Sequence, residues 1–143
     1  MLGDVYKRQD LAHNGTLKSY QKLRKILKSI KTKIYVLPGN HDDLSNLSQV
    51  FNKSYLCNFT IDSWEVITID SVQAGKVSGR LSDEQLCSLS QEINSSSAKY
   101  IVLCLHHPPV SMQSDWDDEM SLENPEDLFA VIDQYDNLSL IHI

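Results

Sequence analysis

No stretch of this sequence could cross a bilayer as a helix. Its longest unbroken apolar run, Tyr100-Ile101-Val102-Leu103-Cys104-Leu105, is six residues long, against the roughly 20 that a spanning helix needs. Nothing near Met1 has the charged-then-apolar pattern of a secretory leader. Cysteine is scarce: Cys57, Cys87 and Cys104 are an odd set with no C-x-x-C spacing. That excludes a fully paired disulfide framework and a cysteine-clamped zinc site, and predicts reduced core thiols in a cytosolic protein. Positive charge is in deficit, with 13 Lys and Arg against 19 Asp and Glu, a net charge of −6. Such a chain is repelled by polyanions, which argues against a nucleic-acid coat. There is no internal repeat, no linker-like shift in composition, and no low-complexity tract beyond the polar Asn94-Ser95-Ser96-Ser97. What is present is an ordinary globular balance, 41% apolar and 22% charged over 143 residues. A single domain of that size can bury a proper core.

Periodicity places the elements. Leu17, Tyr20, Leu23, Leu27 and Ile30 line one face of a first helix, with lysines and Arg24 opposite. Leu44, Leu47 and Phe51 mark a second helix. Leu86, Leu89 and Ile93 mark a third, opened by a Ser82–Gln85 capping box. Leu128, Ile132 and Tyr135 mark a fourth, with Asn124 as cap, Pro125 in the first turn, and Glu126 and Asp127 against the helix dipole. Residues 34–37 and 100–105 are continuous apolar runs, the pattern of inner strands covered on both faces. Residues 54–61 and 63–71 read as a hairpin turning at Asp62-Ser63. Alternation of this kind predicts an α/β layered sheet.

Two of the apolar runs end in concentrated polar chemistry. Residues 34–37 lead into Pro38-Gly39-Asn40-His41-Asp42-Asp43, and residues 100–105 into His106-His107-Pro108-Pro109. Ligands of open α/β sheets bind outside the carboxyl ends of strands, where loops present side chains on a rigid scaffold. Asn, His and Asp offer oxygen and imidazole-nitrogen donors suited to Mn²⁺, Fe²⁺ or Zn²⁺. Each cluster also has a structural reading. Gly39-Asn40 is a turn dipeptide, Asp42 or Asp43 can cap the second helix, His106 can be a satisfied core histidine, and His107 before two prolines can mark a rigid bend. A third piece, Asp10-Leu11-Ala12-His13-Asn14-Gly15-Thr16, precedes the first helix. It reads equally as a turn with a Thr16 cap. The spacing from Asp10 to Asn40 admits one helix and one strand, so both can reach one sheet edge.

In this order, the motifs resemble those of the calcineurin-like metallophosphoesterases. Leu37-Pro38-Gly39-Asn40-His41-Asp42-Asp43 resembles their GNH[DE] motif, Leu105-His106-His107-Pro108-Pro109 their later histidine motif, and Asp10-Leu11 their Gly-Asp motif without its glycine. Ser78-Gly79-Arg80-Leu81-Ser82-Asp83-Glu84-Gln85-Leu86 is similar to the H-G-x-L-S-x-x-Q-L stretch of bacterial class III cyclic-nucleotide phosphodiesterases. Trp116-Asp117-Asp118-Glu119-Met120-Ser121-Leu122-Glu123-Asn124 is similar to their W-[LM]-D…L-x-N segment. The resemblance implies an incomplete four-layer αββα sandwich over residues 10–137. It also implies hydrolysis of 3′,5′-cyclic nucleotides, above all cyclic AMP, by two divalent ions, Fe or Mn with Zn as an alternative. Asp10 is then the bridging ligand, Asn40 and His106 bind the second metal, and His41 sits by the scissile phosphate as donor or general acid. His107 is not a ligand in such pairs, and Asn124 approaches the substrate unless it is only an N-cap. The implied partner is a small phosphodiester in the cytoplasm, not a nucleic acid or a membrane.

The chain also departs from the family pattern. It contains neither Asp-x-His nor Gly-His-x-His, so of the family's ligands only Asp10, Asn40 and His106 are present. Residues 1–9 (MLGDVYKRQ) and 138–143 (LSLIHI) resemble non-native flanks, with Gln9 where the family has glycine. Gly3-Asp4 as the true Gly-Asp pair, or His142 as a remnant of Gly-His-x-His, are the rival placements. Alternatives to the cyclic-nucleotide reading are a glycerophosphodiester phosphodiesterase of the same fold, and an inactive fragment or non-catalytic binding module.

Overall fold

The computed structural model describes residues 11, 12 and 14–142, without the side chains of residues 141 and 142. The expectations for Asp10 and for residues 1–9 lie outside that range. In chain order the elements are α1 (Leu17–Leu27), α2 (Leu44–Phe51), β1 (Phe59–Ile61), β2 (Trp64–Thr68), α3 (Asp83–Ser95), β3 (Tyr100–Leu105), α4 (Asp115–Asp118), α5 (Pro125–Ile132) and β4 (Leu138–His142). They give the expected α/β class.

The strands form one sheet in the order β1-β2-β3-β4. β1 and β2 are the antiparallel hairpin, turning at Asp62, whose φ of 52° is left-handed. Aspartate tolerates that region better than most residues. β2, β3 and β4 run parallel, with Val66 beside Val102 and Leu103 beside Leu140. β3 is thus an inner strand, as its unbroken apolar run implies. α3 spans the β2–β3 crossover and α5 the β3–β4 crossover. Their apolar faces, Leu86, Leu89 and Ile93 with Leu128 and Ile132, close over Ile67, Ile101, Leu103 and Leu105. Residues 138–142, set apart in the sequence as a flank, pair with β3, and Leu138 and Leu140 pack on this core.

A second core lies between α1 and α2, around Tyr20, Val36, Leu47, Val50 and Phe51. α1 stops at Leu27, not Ile30, which stays 48% exposed. Ser29 and Ile30 donate to the carbonyls of Ile26 and Leu27, three residues back, tightening and ending the helix. Residues 34–37 do not form the expected inner strand. A strand is defined by its ladder, and here one parallel bridge, Val36 to Tyr55, is all that forms among the described residues. The Val36 N–H donates to Ser54 O at 2.8 Å, and the Leu56 N–H to Val36 O at 3.1 Å. The strand expected over residues 54–61 shrinks to β1 for the same reason, since residues 52–54 make a 3₁₀ turn. Stacked rings of Tyr35 and Phe59, 3.7 Å apart, join the two parts. All three cysteines are free thiols, but only Cys104 is buried in the core. Cys57 is half-buried and Cys87 exposed on α3, because an α3 position off the Leu86–Leu89–Ile93 stripe faces solvent.

Candidate metal-donor site

The first loop of the site is shaped by one carboxylate. Asp42 is buried, and its Oδ1 accepts from the Tyr20 hydroxyl at 2.7 Å and the Ala12 N–H at 3.3 Å. Its Oδ2 accepts from the Gly39 N–H at 2.9 Å. The Tyr20 oxygen in turn accepts from the Asp43 N–H at 3.0 Å. Burial, followed by the Asp42 contact, pushes the Tyr20 hydroxyl above its ordinary range, so it stays a proton donor. Asp42 therefore staples α1, the chain just after Asp10, and the Gly39–Asn40 turn together. Asp43 caps α2 by accepting from the Asn46 N–H at 2.8 Å. The capping role thus falls to Asp43. Gly15, at φ 56°, permits the preceding loop to close: a Cβ there would meet the Asp43 nitrogen at 2.9 Å.

The second loop follows β3, where successive residues point to opposite sides. His106 is half-exposed and His107 wholly buried. The buried histidine is thus His107, not His106. The Ser71 hydroxyl lies 2.8 Å from His107 Nδ1, and the same oxygen accepts from the His107 N–H at 3.5 Å. Gly79 packs flat on the imidazole: a Cβ there would stand 2.3 Å from its Cγ and Nδ1. Gly79 cannot step aside, because its N–H donates to Ser121 O at 3.1 Å and its carbonyl accepts from Glu123 N–H at 2.7 Å. Gly79→Ala is expected to cost about 1–3 kcal/mol by overpacking, read as a lower urea midpoint. An unchanged midpoint would show that this wall yields.

These loops bring two of the expected residues together. His106 Nε2 lies 3.3 Å from Asn40 Oδ1. The Asn40 amide is oriented by its Nδ2, which donates to Val77 O at 3.3 Å. Two donors sharing one cation at about 2.0–2.2 Å stand roughly 2.8–3.6 Å apart at octahedral or tetrahedral angles. An amide oxygen and an imidazole nitrogen at this separation fit neighbouring positions on one divalent ion. Among the described residues no group of three His, Cys, Asp or Glu converges on such a point. Asp10, the third expected ligand, lies outside them. His41, next to Asn40, is exposed on the turn.

Asn124 is buried, and its carboxamide is spent on the Leu81 main chain and the Asp127 side chain. Its Oδ1 accepts from Leu81 N–H at 3.1 Å, and its Nδ2 donates to Leu81 O at 2.9 Å and to Asp127 at 2.9 Å. It occupies the N-cap position of α5 without making a capping bond. Its contacts are those of a clamp on the 78–82 segment. Ser71, Gly79, Tyr20 and Glu123 are not among the site residues that the sequence motifs mark. Gly79 carries a signal, the glycine of the Ser78-to-Leu86 resemblance. The others are ordinary polar residues whose partners are distant in the chain.

An amide oxygen and an imidazole nitrogen side by side at the carboxyl end of an inner strand have the donor chemistry suited to a divalent cation. The comparisons narrow that chemistry. A model of the calcineurin-like phosphoesterases matches residues 1–141, and the chain belongs to that family, whose members use divalent metal ions. A probable cyclic nucleotide phosphodiesterase of Vesicomyosocius okutanii is 46% identical over 132 residues, 92% of this chain and 57% of that protein. The 3′,5′-cyclic adenosine monophosphate phosphodiesterase CpdA of Pseudomonas aeruginosa is 32% identical over 131 residues, 90% of this chain and 48% of its own. A probable glycerophosphodiester phosphodiesterase, GpdQ, of Arcobacter nitrofigilis is 31% identical over 122 residues, 80% of this chain and 45% of its own. The chain spans about half the length of the curated relatives it matches. No helix among the described residues is long and apolar enough to cross a membrane.

Proposed function

We propose that the protein to which this chain belongs hydrolyses 3′,5′-cyclic nucleotides, cyclic AMP first among them, with two divalent metal ions. Fe or Mn suits the mixed oxygen and nitrogen donors, with Zn the alternative. The observation that carries the reading is the 3.3 Å approach of Asn40 Oδ1 to His106 Nε2 across two loops far apart in sequence. The names of the relatives at 46% and 32% identity support the choice of substrate. Cytosolic action on a small phosphodiester, with no nucleic-acid or membrane partner, is part of the same proposal.

In this reading Asp10, Asn40 and His106 hold the ions. Bound there, divalent ions neutralise the phosphodiester's charge and lower the pKa of the attacking water. The chain's own residues do the rest. Asp42 and Tyr20 fix the turn, so that Asn40 points its oxygen inward while its nitrogen is held by Val77. His107, locked by Ser71 and Gly79, sets the backbone from which His106 projects. His41 donates a hydrogen bond or a proton to the leaving ester oxygen, which otherwise departs as an alkoxide. Asn124 contributes by clamping Leu81, and through it the loop beneath His107.

A glycerophosphodiester is the competing substrate, favoured by the 31% identical relative of that name. The two are separated by assaying the intact, Mn²⁺-loaded parent enzyme on cyclic AMP and on glycerophosphocholine. The expected kcat/KM is at least about tenfold higher for cyclic AMP, a difference of about 1.4 kcal/mol in transition-state binding. A preference for glycerophosphocholine overturns the assignment.

A further inference from the structure

The loop of residues 72–79 touches both halves of the site. Its Val77 carbonyl holds the Asn40 amide nitrogen at 3.3 Å, so that Oδ1 faces His106. Its far end, Gly79, is the wall against the His107 ring. The loop has little apolar anchoring of its own: residues 74–77 are exposed, Val77 at 52%. What fastens it is a carboxylate from the α4–α5 connection. Glu123 Oε1 accepts from the Ser78 hydroxyl at 2.7 Å and from Lys76 Nζ at 2.9 Å, and Arg80 lies 4.0 Å from Oε2. The Glu123 N–H also donates to Gly79 O at 2.7 Å.

We propose that Glu123, which stands outside the metal-donor pair, is a positioning residue for it: its carboxylate latches the 72–79 loop, and the latched loop sets the orientation of Asn40 and the seat of His107. This rests on the reading of Asn40 and His106 as the donor pair, and extends it to a residue on the α4–α5 connection. An isolated exposed ion pair contributes little. Glu123 differs in gathering several donors from one loop, which restrict that loop where a single lysine would not. Hydrogen bonds from Ser78, Lys76 and Gln73 hold its carboxyl down to about 2, so the latch stays ionised at working pH. Outer residues that orient a donor typically set metal affinity within about 10–100-fold.

The test uses the full 143-residue chain, labelled with ¹⁵N, as wild type, Glu123→Ala, Glu123→Gln and the control Glu119→Ala. Glu119 is an exposed acid of the same region, and among the described residues its side chain forms no hydrogen bond or ion pair with the loop. Two quantities are read: the Asn40 side-chain amide and His106 and His107 imidazole resonances without metal, and the dissociation constant for Mn²⁺. Glu123→Ala is expected to shift or broaden all three sets of resonances and to weaken Mn²⁺ binding roughly tenfold or more. Glu123→Gln keeps an acceptor for Ser78 and should recover part of both effects. If Glu123→Ala matches Glu119→Ala at these resonances, the latch is refuted, whatever happens to melting temperature. If the wild-type chain binds no Mn²⁺ while the resonances still respond to Glu123→Ala, the latch stands and the metal reading is the part that fails.

Discussion

Purified alone and given excess Mn²⁺, the 143-residue chain is expected to hydrolyse bis-p-nitrophenyl phosphate and cyclic AMP at least about 10³-fold more slowly than an intact homologue. The estimate comes from ligand arithmetic. Protein metal sites normally present three or four side-chain donors. On the proposed reading the donors in this sequence are Asp10, Asn40 and His106, and the sequence contains neither Asp-x-His nor Gly-His-x-His. One of the two ions would then rest on a single carboxylate, and the other on that carboxylate with the Asn40–His106 pair. Without a complete pair of cations, neither the phosphate charge nor the attacking water is managed, and several kcal/mol of transition-state stabilisation is forfeited. At about 1.36 kcal/mol per decade, three decades is a cautious loss. Turnover within tenfold of the homologue would show that other residues complete the site.

The site was more legible in the sequence than the sheet that carries it. Asn40 and His106 are 66 residues apart, yet both follow apolar runs, and runs that end in polar clusters point to one sheet edge. Helix starts were also readable, because caps are local chemistry. Thr16, Asp43 and Ser82 each accept the expected main-chain N–H. Residues 34–37 show where that logic stops. Ile34-Tyr35-Val36-Leu37 has every strand propensity, but a strand needs a neighbour, and among the described residues only Tyr55 bridges it. The hidden supports of the site failed to show for a related reason. Ser71 reaches His107 across 36 residues, and Glu123 reaches Ser78 across 45. No spacing rule joins such pairs, and neither serine nor glutamate is unusual where it stands. α4 escaped notice because four residues are too few to show a period.

In the intact parent enzyme, His41→Ala is expected to lower kcat by about 10²–10⁴-fold, the usual range for a lost general acid, with metal content unchanged. The structure explains why these two quantities should separate. The turn that carries His41 is held by others: Asp42 accepts from Gly39 N–H and the Tyr20 hydroxyl, and Asp43 from Asn46 N–H. Asn40 keeps its own tether to Val77. The His41 side chain is exposed on that turn, and the hydrogen bonds that place Asn40 and its loop come from Asp42, Asp43 and Val77. A residue that only held metal would show the reverse pattern, with metal lost first and kcat restored at high Mn²⁺. Kinetics across pH, with metal measured by atomic absorption, decide between them. The variant should keep its metal, lose most of its kcat at saturating cyclic AMP, and lose the limb of the pH profile that reports the acid. A kcat unchanged across that range would remove His41 from the chemistry, and metal loss in proportion to activity would make it a ligand.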